Sequence, residues 1–259
     1  MSMRPYVRFF LLAALLLALA GCLSVFYVKP PKLMQGQLPP PSHAIWDSLL
    51  RQYASDDGRV NYRGFLEDRD RLDTYLALLD QHAPAPGWSR ADSLAYWINA
   101  YNAFTIRVIL DHYPLKSIRE LNDINLIATI WDKPLFRIGG EPISLGQIEH
   151  RILREDFHEP RIHFAINCAS VSCPVLRSEA YTAQQIESQL EDQTRRFFAD
   201  STRNHFTPEK AELSSILLWF RGDFTREGSL IDFVNRYAPV TLPPDAKVSH
   251  IDYDWRLNE

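Results

Sequence analysis

Apolar residues recur at helical spacing in the stretch that follows Ser89, and this is the clearest pattern in the chain. The recurring positions are Leu94, Trp97, Tyr101, Phe104 and Val108. A spacing of three and four predicts an α-helix with one buried face. Ser89 and Asp92 form a capping-box pattern at its start, and Pro114 cannot continue it. We therefore predict a long helix that ends before Pro114.

Short alternating segments separated by turn residues predict two hairpins. Phe136–Ile138 and Glu141–Ile143 flank paired glycines, which supply the positive φ that a tight turn needs. His205–Thr207 and the Ala211-Glu-Leu segment flank the turn residues at 208–210. We expect one β-hairpin at each place.

The remaining elements follow from the same rules. Ile162, Phe164 and Ile166 alternate with more polar neighbours, which predicts a buried strand. A capping box at Ser144 and Gln147 predicts a helix through Leu153. Further helices are predicted up to Phe198 and over 216–220 and 230–237, and a last strand over 248–253. The helix up to Phe198 is expected to begin at a cap formed by Thr182 and Gln185. The mixed order predicts an α+β fold, a helix-dominant single domain with short strands and hairpins.

The amino terminus has the pattern of an export signal. Arg4 and Arg8 precede an uncharged apolar run that is too short to span a membrane comfortably. The ending Leu19-Ala-Gly-Cys22 resembles a bacterial lipobox, and the resemblance implies cleavage before Cys22 and lipidation of that residue. Leu23, rather than an aspartate, follows the cysteine, which favours the outer membrane. We predict a signal peptide at 1–21, a lipidated Pro-rich tether at 22–43 and one globular domain at 44–259.

Charge excludes one class of function. The chain has 28 basic and 32 acidic residues, a net charge of −4 with histidine neutral. Removal of the predicted signal peptide takes away two arginines and no acid, so the remainder is more acidic still. Nucleic-acid binding needs a basic surface, which this chain lacks. We expect contact with a membrane through the lipid, and no nucleic-acid partner.

The chemistry-bearing residues of the domain cluster between Arg161 and Pro174. Cys168 and Cys173 are the only cysteines besides Cys22, and small residues around them predict an exposed loop. A thiol becomes a nucleophile when a nearby imidazole holds it as a thiolate. His163, just before the loop, and His150, on the predicted helix, are the candidate partners. The candidate catalytic residues are therefore Cys173, His163 and His150.

Two other interpretations of the same residues stay open. Exported bacterial proteins meet an oxidising compartment, and two cysteines five residues apart could form a disulfide, which would remove Cys173 as a nucleophile. Alternatively His150, His163, Cys168 and Cys173 could bind zinc, but their spacing matches no common zinc motif. We expect no metal and no cofactor.

Several further residues are assigned supporting or structural roles. Supporting or binding roles are predicted for Asn99, Asn102, Glu149, Asn167 and Ser172. The two helix asparagines are expected above all to tie their helix to a loop, because a buried amide needs partners. Arg154 could pair with Glu149 or Asp156, Asp223 is expected to cap a helix or form a salt bridge, and His205 is left out of the site. Three tryptophans are predicted to lie in the core: Trp131, Trp219 and Trp255.

Six motifs in order resemble a known family. They are Tyr96-Trp-Ile-Asn99-Ala-Tyr-Asn102-Ala, Ile148-Glu149-His150-Arg-Ile-Leu-Arg154, Arg161-Ile-His163-Phe-Ala, Ser172-Cys173-Pro174, Ser215-Ile-Leu-Leu-Trp219-Phe-Arg-Gly-Asp223-Phe224 and Tyr253-Asp254-Trp255. This set resembles the domain of unknown function 547, mainly over 94–224. The family occurs in bacterial envelope proteins and, in plants, beside a coiled coil. The resemblance implies which residues matter and leaves the reaction open.

Two hypotheses about function follow. No residue set reaches the specificity of a catalytic motif, which favours a lipid-anchored, periplasm-facing envelope protein that serves as a binding or structural module. The alternative is a papain-like or related cysteine hydrolase or acyl transferase, acting on envelope peptides or amides through Cys173 with His150 or His163. The partner would be an envelope protein or a peptide related to peptidoglycan.

Overall fold

The computed structural model describes residues 36–122 and 129–259. The predicted signal peptide at 1–21, the lipidation site Cys22 and the tether up to residue 35 lie outside the described residues. The fold is α+β with helices dominant, as predicted. Among the described residues, no helix combines the length and the apolar character that crossing a bilayer requires.

Four helices form the first part of the fold and surround the largest hydrophobic cluster. They are α1 (Ala44–Tyr53), α2 (Tyr62–Glu67), α3 (Arg69–Gln81) and α4 (Arg90–His112). The capping box of Ser89 and Asp92 starts α4, and the helix ends before Tyr113 and Pro114, both as predicted. Trp97 and Asn99 on this helix are fully buried, because neighbours cover nearly every face of α4.

The first predicted hairpin and the element after it position one wall of the site. Strands β1 (Phe136–Ile138) and β2 (Glu141–Ile143) pair antiparallel, with Gly139 and Gly140 at φ 61° and 77°. A π-helix (Gln147–Leu153) follows instead of the predicted α-helix. Its capping box is formed as predicted: the Gln147 amide donates to Ser144 Oγ at 3.1 Å, and the Ser144 amide donates to Gln147 Oε1 at 2.9 Å.

The strand predicted around His163 is wrong. Ile162–Ala165 forms a single helical turn, α5, closed by a hydrogen bond of 3.0 Å from the Ile166 amide to the Ile162 carbonyl. All four residues of the turn are buried. A turn that is enclosed on every side needs no polar face, so the local alternation of residue types was misleading.

The last part of the fold surrounds a second hydrophobic cluster that includes Phe164, Phe198 and Phe233. Its elements are α6 (Ile186–Ala199), β3 (His205–Thr207), β4 (Lys210–Ser214), α7 (Ile216–Trp219), α8 (Arg221–Phe224), α9 (Leu230–Asn235) and β5 (Lys247–Ile251). Strands β3 and β4 form the second predicted hairpin, and β5 pairs parallel with β4. The predicted cap of α6 is wrong, because Gln185 precedes the helix without a side-chain cap and the Thr182 amide donates to Gln189 instead.

The described end of the predicted tether, residues 36–43, contacts the domain. The Trp88 indole donates to the Leu38 carbonyl at 2.9 Å, and His82 Nδ1 lies 2.8 Å from the Pro39 carbonyl oxygen. His43 Nδ1 lies 2.7 Å from the Tyr75 hydroxyl. This end of the segment is therefore held against the loop that joins α3 to α4.

Candidate functional site

One cavity collects most of the predicted site residues. It has a volume of about 260 Å³ and lies where the π-helix, α5, the cysteine loop (residues 167–174), α7 and the C-terminal segment (residues 252–258) meet. The side chains around it include His150, His163, Cys168 and Cys173, together with Glu149, Tyr101, Trp131, Trp219, Phe220, Tyr253 and Trp255. The structure thus brings both candidate histidines and both cysteines to the same space.

The two thiols are in direct contact. Cys168 Sγ and Cys173 Sγ lie 2.6 Å apart, and both are free. The Cys168 backbone amide donates to Cys173 Sγ at 2.9 Å. Cys173 is 4% exposed, whereas Cys168 is partly exposed. The pair therefore has a buried sulfur that accepts hydrogen bonds and a more accessible sulfur beside it.

These contacts separate the two thiols in acidity. Burial alone would raise the pKa of Cys173, but hydrogen bonds from the Cys168 thiol, Tyr253 and the Cys168 amide outweigh it and lower that pKa to about 7. The hydrogen bond with Cys173 and burial raise the pKa of Cys168 well above its ordinary value. Cys173 is therefore the thiol that is easier to ionise.

The backbone of the cysteine loop is held in an unusual conformation. Ala169 has φ 63°, a left-handed value that is uncommon for a residue with a Cβ. Asn167 stabilises it: its Oδ1 accepts from the Ala169 amide at 2.8 Å, and its Nδ2 donates to the Pro174 carbonyl at 2.7 Å. Asn167 does not line the cavity, so its role is to set the path of the loop.

The C-terminal segment covers the outer side of this loop. The Ser172 amide donates to the Asp254 carbonyl at 3.2 Å, and the Asp254 amide donates to Ser172 Oγ at 2.9 Å. The Ser170 and Tyr253 hydroxyl oxygens lie 3.1 Å apart. Ser172 therefore anchors the loop from outside the cavity.

The asparagines of α4 tie that helix to two loops. Asn102 Nδ2 donates to the Ala165 carbonyl at 3.0 Å, and its Oδ1 accepts from the Asn167 amide at 2.8 Å. Asn99 makes the corresponding pair of bonds with Tyr181, at 2.8 Å and 3.0 Å. Neither side chain lines the cavity, and only Asn102 touches the chain that leads into the cysteine loop.

His163 is paired with an acid that the sequence did not single out for it. His163 Nε2 lies 2.8 Å from Asp223 Oδ2, and the ring stacks on Phe220 with centroids 4.0 Å apart. Burial lowers the pKa of His163, although the bond to Asp223 opposes this effect. A neutral imidazole whose Nε2 donates to Asp223 carries its lone pair on Nδ1, which has no hydrogen-bond partner among the described residues.

Asp223 is held by two arginines as well as by His163. Arg154 Nε donates to Asp223 Oδ2 at 2.5 Å, and Arg226 Nη2 donates to Oδ1 at 2.9 Å. Burial opposes ionisation, but these bonds hold the pKa of Asp223 well below its ordinary value. The predicted salt bridge of Asp223 is confirmed, whereas the predicted pairing of Arg154 with Glu149 or Asp156 is wrong.

His150 differs from His163 in its surroundings. His150 is exposed on the π-helix, and its Nδ1 accepts a hydrogen bond from Arg154 Nη1 at 3.0 Å. Glu149, the preceding residue, is only 8% exposed and accepts from the Tyr101 hydroxyl at 3.1 Å. The wider turn of the π-helix places both consecutive residues on the cavity, one near its mouth and one in its interior.

Aromatic side chains form one side of the cavity mouth. Trp219 is 48% exposed, so its prediction as a core residue is wrong. Its ring stacks on Trp255 at 5.8 Å and contacts Tyr253 at 4.8 Å, and Trp131 meets Trp255 edge-on at 6.2 Å. Trp131 and Trp255 are partly buried and also line the cavity. These rings are better described as a wall of the site than as core.

The remaining predicted features lie elsewhere or lack the expected geometry. Within residues 36–122 and 129–259, no group of three or more His, Cys, Asp and Glu side chains is arranged to hold a metal ion. The zinc hypothesis therefore finds no support in the described site. His205 lies on β3, away from the cavity, with Nδ1 3.3 Å from Glu212 Oε2.

Sequence reasoning missed the partners that complete the site. Asp223 was expected only to cap or pair, and neither Tyr101 nor Tyr253 was assigned to a site. The one available signal was position: Asp223, Trp219 and Tyr253 all occur in the quoted motifs. Nothing local to those residues indicates that they approach His163 and the cysteines.

Comparison with known proteins identifies the family. The model described as "Protein of unknown function, DUF547" matches residues 86–198. Residues 86–198 of this chain belong to the DUF547 family. No match was found among curated proteins or among solved structures.

The DUF547 match covers only part of the site. It includes α4, the π-helix, α5 and the cysteine loop, but it ends before Trp219, Asp223 and Tyr253. The resemblance expected over 94–224 therefore begins earlier and ends sooner in the family match. In this member, residues beyond the matched segment complete the cavity.

Proposed function

We propose that the cavity is the active site of a thiol-dependent acyl transferase or hydrolase, with Cys173 as nucleophile and His163 as base. The observation that carries the proposal is that an acidified thiol and His163 line one cavity, and that His163 is paired behind the cavity wall with the buried Asp223. A nucleophile, a base and a group that orients the base are the three elements of a cysteine or serine acyl-transfer site.

The surroundings of Cys173 fit a nucleophile. Its sulfur accepts the Cys168 amide at 2.9 Å, and its pKa is lowered to about 7. A thiolate is the reactive form of cysteine, so a substantial fraction would be reactive near neutral pH. Cys173 would attack a carbonyl carbon and form an acyl thioester.

The surroundings of His163 fit a general base. Asp223 fixes the ring through Nε2, which leaves Nδ1 as the basic nitrogen. In the proposed reaction Nδ1 accepts the thiol proton and then donates it to the leaving amine or alcohol. Water or a second amine, activated by the same nitrogen, would then attack the thioester and regenerate the thiol.

The amino-terminal sequence supports a location for this activity. The segment up to Cys22 resembles a lipoprotein signal. We place the domain at the surface of a bacterial membrane, facing the periplasm, on that resemblance alone. Amides and peptides of the envelope would then be the substrates within reach.

The proposal is tested by trapping the acyl-enzyme. The reduced full-length protein is mixed with p-nitrophenyl acetate, and intact mass and fragment spectra locate the acetyl group. We expect one acetyl on Cys173, at a rate that falls at least tenfold in Cys173→Ala and in His163→Gln. A His205→Gln variant is the matched control, because His205 lies outside the cavity. Equal acetylation in all four proteins would contradict the proposal.

A non-catalytic binding module is the second candidate, and the sulfur contact favours it. Sulfurs 2.6 Å apart are placed to join as a disulfide, which would leave no thiol for catalysis. Intact-mass measurement of protein purified without reductant separates the two candidates. A stable Cys168–Cys173 disulfide that resists mild reductant would support the binding module and contradict the enzyme.

A further inference from the structure

Glu149 is a charged group in the cavity that the proposed acyl transfer does not use. Glu149 is 8% exposed, and its carboxylate accepts one hydrogen bond, from the Tyr101 hydroxyl at 3.1 Å. Glu149 forms no ion pair with another described residue. A carboxylate has about four acceptor positions, and a buried one without a cation is costly.

The cationic groups nearby are already engaged. Arg154 donates to Asp223 at 2.5 Å and to His150 at 3.0 Å. Arg226 also donates to Asp223, at 2.9 Å. The charge of Glu149 interacts with His163 and favours protonation of the imidazole. Burial lowers the pKa of His163, however, so the imidazole is neutral near pH 7. The acceptor positions of Glu149 are thus left for a group that is not part of the described protein.

Aromatic rings surround the approach to this carboxylate. Tyr101, Trp131, Phe220 and Tyr253 line the same cavity, and Trp219 and Trp255 stack at its mouth. Aromatic faces attract organic cations through the negative potential of the ring face. An aromatic-walled cavity that contains a buried carboxylate matches the chemistry of a protonated amine.

We propose that the cavity binds the ammonium group of a primary amine, held by Glu149, with the aliphatic chain of the amine along the aromatic wall. The role of the bound amine rests on the proposed function. In that reaction, the amine would either accept the acyl group from Cys173 or be the leaving amine of the substrate. The three N–H donors of a primary ammonium match the open acceptor positions of Glu149.

The test compares two probes of the same shape. Binding of n-butylammonium chloride and of 1-butanol to the full-length protein is measured by calorimetry and by tryptophan fluorescence at pH 7. We expect butylammonium to bind at least tenfold more tightly than butanol. Glu149→Gln, which keeps the hydrogen bond to Tyr101, should remove this preference and leave butanol binding unchanged. Glu155→Gln is the control, because Glu155 is exposed and lies outside the cavity.

A second variant covers the case in which Glu149→Gln does not fold. Trp219→Leu removes a half-exposed ring and should weaken butylammonium several-fold more than butanol. Equal binding of the two probes to the unmodified protein, or a preference that persists in Glu149→Gln, would overturn the inference. So would an unchanged preference in Trp219→Leu when Glu149→Gln cannot be measured.

Failure of this inference is distinguishable from failure of the proposed function. Acetylation of Cys173 without any preference for butylammonium would refute only the proposed amine-binding site. A preference for butylammonium that depends on Glu149, without acetylation of Cys173, would refute only the proposed acyl transfer. The amine-binding site would stand.

Discussion

The imidazole of His163 and the carboxylate of Asp223 are joined by a contact of 2.8 Å between Nε2 and Oδ2, across 60 positions of sequence. Asp223 also accepts from Arg154 and Arg226. One carboxylate on α8 therefore connects the turn that bears the histidine, the end of the π-helix and the loop after α8. The stability of the fold and the orientation of the candidate base depend on the same side chain.

Replacement of Asp223 by asparagine should affect both properties. The neutral amide leaves Arg154 and Arg226 without their anion. Because both arginines are partly exposed, we expect this loss to cost about 1–3 kcal/mol, less than that of a fully buried ion pair. We expect the free energy of unfolding, measured by urea denaturation, to fall by that amount. Acetylation of Cys173 should slow at least tenfold, since His163 loses its orienting partner. Asp192→Asn is the control, because Asp192 pairs with Arg177 at the surface; similar losses in both variants would contradict the assignment.

The reactivity of Cys173 should depend on pH with a midpoint near 7. Its thiolate is stabilised by hydrogen bonds, so alkylation should increase through pH 7 instead of about 8.5 for a free cysteine. The measurement is the rate of iodoacetamide labelling, assigned to Cys173 by fragment spectra. Tyr253→Phe should move the midpoint upward, because that hydroxyl helps to lower the pKa. Tyr237→Phe should leave it unchanged, and a midpoint near 8.5 in the unmodified protein would refute the assignment.

The two asparagines of α4 offer a matched pair of variants. Each makes two buried hydrogen bonds to backbone groups of a neighbouring loop. Asn99→Ala and Asn102→Ala should therefore each lower the free energy of unfolding by about 2–3 kcal/mol. Only Asn102→Ala should change the labelling rate of Cys173, since Asn102 alone holds the amide of Asn167. Equal changes in the labelling rate in both variants would show that general destabilisation of the fold, rather than loss of the hydrogen bond to Asn167, changes the reactivity of Cys173.

Two histidines should make the fold sensitive to mild acid. Burial lowers the pKa of His163, and burial lowers that of His43 to about 4. The unfolded chain therefore binds protons below pH 6.5 that the folded chain does not, and stability falls as pH decreases. Each group contributes at most about 1.4 kcal/mol per pH unit.

Urea denaturation between pH 7.5 and 4.5 measures this effect. His43→Gln and His163→Gln should each reduce the slope of stability against pH over this range. Gln184→Ala, which alters an exposed position and removes no ionisable group, should retain the slope of the unmodified protein. If neither of the first two variants reduces it, the low pKa values do not contribute to acid sensitivity.

Local rules predicted the elements whose cause is local. The capping box at Ser89 and the glycine pair at 139–140 act on adjacent backbone, and both are found where predicted. The turn at Ile162–Ala165 was mistaken for a strand, because its burial comes from distant parts of the chain. The π-helical geometry of 147–153 likewise has no signal in the hydrophobic pattern.

The site divides in the same way. His150, His163 and the two cysteines could be selected because their side chains carry reactive atoms. Their common cavity, the pairing of His163 with Asp223 and the exposure of Trp219 depend on how α7, α8 and the C-terminal segment pack. No periodicity or short motif encodes contacts between residues that are 60 to 85 positions apart.

The cysteine loop is completed only by the last residues of the chain. The amides of Val171 and Ser172 donate to the carbonyls of Arg256 and Asp254, and Asn258 bonds to Tyr62 near the other end of the domain. A growing polypeptide therefore cannot finish this loop until residues 254–258 have been synthesised. Until then, both thiols stay accessible to oxidants and to incorrect partners. The order in which segments leave the ribosome therefore affects whether the two sulfurs are still reduced when the loop closes.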